Sequence, residues 1–444
     1  MESNEKSRLT CQKYNNYSCK THQLHKKSIS RVLWLAFVVT MPCLAPGMSF
    51  GYSGIVLDQL RLSVDEQSWF ASLPSIMMPI GCLFSGPLID KLGRKTALMV
   101  TTIPSCLGWL LLAQQPVSLC VLYIGQLLVG MSVGLSTTPA TVYSAECITV
   151  NFTGLRGSFT IMTSIMLNFG MFLTYLLGSL VPAYIVAYTA SFVSFAALIF
   201  IRALIPESPP WLFEQGRHGD AEFSQNVLRI TQPILQTSRV KSLEEIPQFS
   251  GSFVLTSYMI QLLRSFNVTI NNYLITLLAG FTNLSAMMIL SILLTKSGFK
   301  QLSFVSCTGY SLSMISLAIF LYLGIDNELI TNIVVITCIL LNMAMNGLGL
   351  RPIPYAMLGE VFPTDVAGVA GSIVACLSSI FNFIAIKMYP YMRIWLGPGV
   401  FMIYGILAFF TIIFVLKIVP DTRGKTIKQI GDDFLRTDSS TETI

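Results

Sequence analysis

The chain has 444 residues, 53% of them hydrophobic and only 11% charged, with a mean hydropathy of +0.66. A soluble protein of this size carries about 25% charged residues, so the composition excludes a soluble globular domain and points to an all-α polytopic membrane protein. The formal net charge of +6 sits in the segments between apolar runs, where it bears on topology and gives no sign of a nucleic-acid surface.

Residues 1–31 are polar and basic, and with no apolar segment before Val32 no cleavable signal peptide is expected. Long apolar stretches then recur up to Val419, most of them near the ~20 residues needed to cross a bilayer. Spans are expected at 33–57, 68–89, 97–114, 118–141, 158–180, 183–205, 247–266, 273–294, 301–324, 329–350, 366–387 and 397–419. With both termini cytoplasmic, the outside segments hold only Arg61, Arg264, Lys387 and Arg393, and the remaining Lys and Arg, apart from Arg351 of span ten, cluster inside. That asymmetry favours about twelve spans. It also sorts the N-x-S/T sequons: Asn16, Asn151 and Asn283 fall in cytoplasm or membrane, and only Asn267 falls outside as a glycosylation candidate.

Ten cysteines are scattered, mostly within apolar runs, and three histidines (His22, His25, His218) lie in polar segments. None has metal-ligand spacing, and no dense disulfide framework is present. No nucleophilic triad or phosphate-cradling loop occurs, so neither an enzyme nor a cofactor is expected.

A short charged turn is written twice. LIDKLGRK follows the second span and LLTKSGFK the eighth, placing Asp90 and Thr295 in correspondence, 295 − 90 = 205 residues apart. The pairs Glu146/Glu360 and Pro206/Pro420 are each 214 apart (360 − 146 and 420 − 206). The chain therefore reads as two related six-helix halves, a construction common among transporters. Gly93 permits a tight turn between spans. Asp90, Glu146 and Glu207 can pair with Arg94, Lys95 and Arg156 in a cytoplasmic network that holds one conformation and breaks in another.

The motifs GPLIDKLGRK, YSAECITVNFTGLRG, PESPPWLFEQGR, RPIPYAMLGEVFP and PDTRGKT together resemble the sugar porter family of the major facilitator superfamily, from the first span to about residue 430. Within that family, SIMLNFGMFLTYLLG and FNFIAIK are most similar to insect facilitated trehalose and glucose transporters. The resemblance implies a major facilitator fold with a cytoplasmic tail over 1–31, six-helix halves over 32–205 and 247–419, a cytoplasmic linker over 206–246 and a second tail over 420–444. It implies facilitative transport of a sugar such as trehalose or glucose across the plasma membrane. The partners implied are that small molecule and the lipid bilayer, with no nucleic acid and no obligate protein partner.

Sugars are recognised by a few polar groups beside an aromatic face. In span five, Ser164 and Asn168 stand at i and i+4, on one helix face. The resemblance adds Asn283 in span eight, Asn382 in span eleven, Gln248 in the fragment QFSG, and Tyr355 where relatives carry Trp. A buried Asn also serves as helix–helix glue, worth about 0.6–2 kcal/mol. The chain departs from the family at Ser164, Pro247, Phe253 and Arg351, and in span four Gln126 replaces an Arg. In the second half Thr295, Phe299 and Ala367 replace charged residues, which leaves Glu360 and Asp421 with fewer partners.

Proton-coupled relatives carry an Asp in span one, whereas this chain reads Phe50-Gly51-Tyr52-Ser53, so a passive carrier is favoured over a proton-coupled symporter. A sugar sensor or non-transporting paralogue is the other reading, although the tail after Pro420 is short. A truncated seventh span is also expected. Lys241, Glu244 and Glu245 stand where the family's helix begins, and burying each costs about 2.5–3.5 kcal/mol. The apolar remainder SFVLTSYMIQLL reaches ~18 Å against ~30 Å of hydrocarbon, as a skipped exon or an incomplete gene model would leave it.

Overall fold

In a computed structural model, residues 34–60, 62–115, 118–147, 156–228, 252–266, 268–294, 297–325, 327–353 and 364–417 are described, without the side chains of 145, 156–160 and 364–375. Among these residues every regular element is a helix, as a chain in hydrocarbon requires when each backbone N–H and C=O must be satisfied within its own segment. In the first half the helices are α1 (Trp34–Gln59, with a 3-10 turn at Met41–Cys43), α2 (Val64–Leu92), α3 (Arg94–Leu112), α4 (Leu119–Cys147), α5 (Arg156–Gly178) and α6 (Ala183–Leu204). The short helices α7 (Pro209–Glu214) and α8 (His218–Leu228) follow. After them come α9 (Ser252–Ser265), α10 (Asn272–Leu293), α11 (Phe299–Leu323), α12 (Glu328–Leu350), α13 (Thr364–Leu396) and α14 (Gly399–Lys417). Ten of these are long and apolar enough to cross a membrane; α9 and α13 are not among the ten.

Helix ends depart from the hydropathy reading for local reasons. α2 starts at Val64 because Ser63 forms a capping box with Glu66, satisfying two of the helix's orphan N–H groups. α13 continues to Leu396, nine residues past the expected stop at 387 (396 − 387). Its polar end is covered: the Lys387 ammonium lies 3.9 Å from the Trp69 ring centre, and Arg393 donates to the Tyr389 hydroxyl at 2.9 Å.

Small residues let the helices approach. An added methyl at Gly47 or Gly170 would collide with the facing backbone of α5 or α1, and one at Gly130 or Gly134 with that of α2. Such close contact is how helices pack where lipid offers no hydrophobic drive. Large apolar side chains such as Phe192, Leu312 and Phe410 are exposed on the bundle surface, as expected of helices solvated by lipid.

The first and second sets of six helices meet mainly through α2–α13, α5–α10 and α1–α9. α9 is the exception to the lipid-facing pattern. It has 14 residues, a kink at Tyr258, and almost every side chain buried, in contact with α1, α10 and α13. The expected interruption of span seven falls on residues 238–251, which lie outside the described residues, as does the sequon Asn267.

Candidate functional site

Asn168 and Asn283 each stand midway along their helices, α5 and α10, and both are buried. The Asn168 side-chain amide donates to the backbone carbonyl of Ser164 at 2.8 Å, and the Asn283 amide donates to Asn168 Oδ1 at 2.9 Å. The sugar-contact residues expected on spans five and eight therefore touch. They link the two sets of helices at mid-depth.

The backbone of α12 breaks beside this pair. Asn346–Leu350 forms a π turn, a distortion often found at functional sites. A side chain at Gly347 would meet the Asn283 side chain, so glycine here lets α12 lie directly on the amide. Past the turn, Arg351 is 8% exposed. Its Nη1 donates to Asn168 Oδ1 at 3.5 Å, and its guanidinium carbon lies 3.5 Å from the Phe253 ring centre and 5.2 Å from that of Phe50. The two rings are themselves 5.3 Å apart and tilted. A charge at such depth costs about 2.5–3.5 kcal/mol on insertion scales, and cation–π contact offsets about 2 kcal/mol or more where water is excluded.

Among the described residues, Asn283 Oδ1, Asn342 Oδ1 and both side-chain polar atoms of Asn346 are buried without a hydrogen-bond partner, as are both side-chain polar atoms of Gln126 in α4. An unsatisfied buried amide costs about 1–3 kcal/mol, which ligand hydroxyls would offset. Asn382 is buried on α13, but among the described residues no hydrogen bond joins it to the Asn168–Asn283 pair. Gln248 and Tyr355 lie outside the described residues.

At the end of the bundle that carries Asp90, the charged residues converge within the first half. Gly93 has φ +88° and ψ 165°, a region essentially reserved for glycine, and it caps α2 while starting α3. Arg94 grips Glu146 through Nε at 3.0 Å and Nη2 at 2.6 Å, a paired geometry that strengthens the contact. Glu146 also accepts from the Ser208 hydroxyl, Glu207 accepts from the Lys95 backbone N–H at 2.9 Å, and the Trp211 indole donates to the Asp90 carbonyl at 3.0 Å. The backbone at Arg156 is helical, but its side chain is outside the description. Glu360 and Asp421 lie outside the described residues.

At the other end, contacts cross between the halves. Arg264 on α9 pairs with Asp58 on α1 at 2.7 Å, and Asp58 also accepts from the Tyr273 hydroxyl on α10 at 2.6 Å. Gln261 donates to Gln67 at 3.1 Å, the Ser68 hydroxyl donates to the Lys387 carbonyl at 2.9 Å, and the Tyr391 hydroxyl donates to Asp65.

A helical bundle with a buried polar centre joining two sets of helices, closed at one end by contacts between them, has the architecture of a membrane carrier. Solved structures share this fold. The partially occluded inward open conformation of the xylose transporter XylE from E. coli matches with a TM-score of 0.74 at 19% identity, covering 89% of this chain and 100% of that one. The same transporter described as a major facilitator superfamily proton:xylose symporter, bound to 6-bromo-6-deoxy-D-glucose, matches with a TM-score of 0.72.

The family described as Sugar (and other) transporter matches residues 9–239 and 240–434, and the chain belongs to that family, the sugar porters of the major facilitator superfamily. Similar proteins include "Sugar transporter ERD6-like 6" of Arabidopsis thaliana, 28% identical over 454 residues, covering 93% of this chain and 92% of that protein. The facilitated trehalose transporter Tret1-2 homolog of Drosophila sechellia is 26% identical over 410 residues, covering 84% and 83%. These relatives are transporters and not enzymes.

Sequence reasoning missed Asn346 and treated Arg351 and Phe253 only as departures from the family. Asn342 and Asn346 stand at i and i+4 deep in an apolar span, the same signal that singled out Ser164 and Asn168.

Proposed function

We propose that the chain is a passive, alternating-access carrier of sugars such as trehalose or glucose in the plasma membrane. Both termini lie in the cytoplasm, the Asp58 end faces outward and the Asp90 end inward. The halves over 32–205 and 247–419 rock about the central site, and the linker over 206–246 joins them inside. The observation that carries this reading is the Asn168–Asn283 hydrogen bond at 2.9 Å, with unbonded amide atoms beside it: polar groups from both halves converge at mid-depth, where a sugar's hydroxyls would be held. Ser164, Asn382, Gln248 and Tyr355 complete that site, and Asp90, Gly93, Arg94, Lys95, Glu146, Arg156 and Glu207 form the inner latch, with Glu360 and Asp421 as its weaker second-half counterparts.

Passive transport is supported by the placement of acids. Among the described residues, acidic side chains stand at helix ends, in connecting segments or in α7 and α8, whereas an intramembrane carboxylate is the usual mark of a proton relay. Radiolabelled trehalose and glucose uptake into oocytes should run down a gradient and stop at equal concentrations. Accumulation against a gradient that a protonophore abolishes would overturn the passive reading.

A second reading, a non-transporting paralogue or sugar sensor with a truncated seventh span, is favoured by Lys241, Glu244 and Glu245, which stand where the family's seventh helix begins and cost about 2.5–3.5 kcal/mol each to bury. Robust uptake by this chain, with transcripts that read uninterrupted through 238–251, would eliminate it.

A further inference from the structure

We propose that the groove between α3 and α6, at the end of the bundle that carries Asp90, binds the headgroup of an anionic phospholipid, held by Lys95 and Arg202. The site lies away from the central amides, and its occupancy does not depend on transport.

α3 and α6 run side by side. The Ser105 and Ser194 hydroxyls are 2.8 Å apart, and Cys106 Sγ lies 3.3 Å from Ser191 Oγ. Toward lipid, α6 exposes Phe195 and Ile199, and Arg202, one turn further on, is exposed as well. That face is apolar and ends in a cation. On α3 the exposed face carries Ile103 and Leu107. At about 100° per residue, Lys95 falls between that face and Cys106, which meets α6. Both cations therefore stand at the mouth of the same groove, where the Lys95 ammonium donates to the Arg202 carbonyl at 3.2 Å.

Positive charge that only sets topology has to lie on one side of the bilayer. It has no need to converge on one groove, where the Lys95 and Arg202 charges repel each other. Among the described residues neither of these side chains forms an ion pair with a carboxylate. Glu207 stands close, but its Oε1 accepts from the backbone N–H groups of Lys95 and Ser208, both at 2.9 Å. Glu146 is held by Arg94.

A lipid phosphate supplies the missing negative charge. Between the two side chains it would accept charge-assisted hydrogen bonds from both, while an acyl chain lies along Ile199 and Phe195 on one side and Ile103 and Leu107 on the other. Basic pockets between spanning helices are a recurrent form of headgroup site. In the proposed orientation this end meets the cytoplasmic leaflet, where anionic lipids give the surface its negative potential. Lys95 follows Arg94 directly in the chain, so a headgroup held there would also brace the Arg94–Glu146 latch.

The test uses the full chain in nanodiscs of equal parts phosphatidylserine and phosphatidylcholine, with retained lipids counted by native mass spectrometry. Wild type should retain phosphatidylserine over phosphatidylcholine by at least about fivefold, the contribution of a single cation at a membrane surface. Arg202→Gln should lower that preference about fivefold, and Arg202→Lys should keep most of it because the charge stays. Lys95→Gln should lower it in the same way, so the groove is tested even where one variant fails to fold. Equal retention of the two lipids by wild type overturns the inference. A preference unchanged in both Arg202→Gln and Lys95→Gln overturns it too. Displacement of phosphatidylserine by soluble glycerol 3-phosphate would assign the groove to free phosphate esters and overturn the lipid assignment. None of these measurements involves sugar uptake, so the carrier reading stands or falls separately.

Discussion

A buried amide oxygen without a donor persists only where something else supplies the hydrogen, and Asn283 Oδ1 is such an atom. Asn283→Ala should raise the half-saturation constant for the transported sugar about tenfold, by the loss of a hydrogen bond worth roughly 1–3 kcal/mol, with surface expression unchanged. Asn382→Ala should act the same way. Unaltered uptake kinetics in both variants would return these residues to helix packing. Asn168 stands out in the sequence as an uncharged amide deep in an apolar span, and Asn283 through the family resemblance. Their mutual hydrogen bond is not legible there, since 283 − 168 = 115 residues separate them and only the packing of α5 on α10 brings them together. Asn346 lies just outside the RPIPY motif that carries the family pattern, and only its i, i+4 spacing from Asn342 marks it in the sequence. The meaning of Arg351 depends on two rings, Phe50 and Phe253, that come from different halves of the chain.

Between elements, the turn from α2 to α3 concentrates the constraint. Gly93 sits at φ +88°, and an added Cβ would lie 2.6 Å from Glu207 Oε2. Gly93→Ala should cost about 1–3 kcal/mol from backbone strain alone, read as a lower melting temperature in detergent and reduced uptake. An unchanged melting temperature would show that the turn can relax. The Arg94–Glu146 pair is 11% and 19% exposed on its two side chains, sheltered enough that losing one partner strands the other. Glu146→Gln should therefore lower the maximal rate of uptake more than it shifts the half-saturation constant, because it loosens a latch far from Asn168. A change confined to the half-saturation constant would contradict that role. Helix positions themselves were read well from hydropathy, as with 183–205 against Ala183–Leu204 and 273–294 against Asn272–Leu293. Hydropathy failed where polar residues continue a helix, at the capped start of α2 and the Lys387–Arg393 end of α13, since a helix obeys backbone hydrogen bonding and not side-chain polarity.

Over the whole molecule, the Asp58 end is tied by contacts from α9, α10 and α13 to α1 and α2. Opening there must break the Asp58–Arg264 pair, in which the Asp58 side chain is 4% exposed and that of Arg264 is 56% exposed. Asp58→Asn should increase labelling of a Gln261→Cys variant by a membrane-impermeant maleimide, and the swap Asp58→Arg with Arg264→Asp should reduce it again. Equal labelling in all three backgrounds would show that the pair does not hold this end shut. High salt should mimic Asp58→Asn only in part, because screening reaches the exposed arginine more easily than the sheltered acid.

That set of ties at one end has a kinetic signature. A carrier without an energy source cannot favour one direction of net flow, so the ratio of maximal rate to half-saturation constant must be equal for entry and exit. The two constants can still differ from face to face, because the apparent affinity at each face falls with the fraction of molecules open to it. Where the loaded carrier reorients more slowly than the empty one, the face closed by Asp58 and Arg264 should show weak affinity paired with a fast maximal rate, and the opposite face tight affinity paired with a slow one. On the proposed passive reading, such a carrier would respond in proportion to supply on its closed side and saturate early on its open side, a graded inlet and a capped outlet that need no energy source.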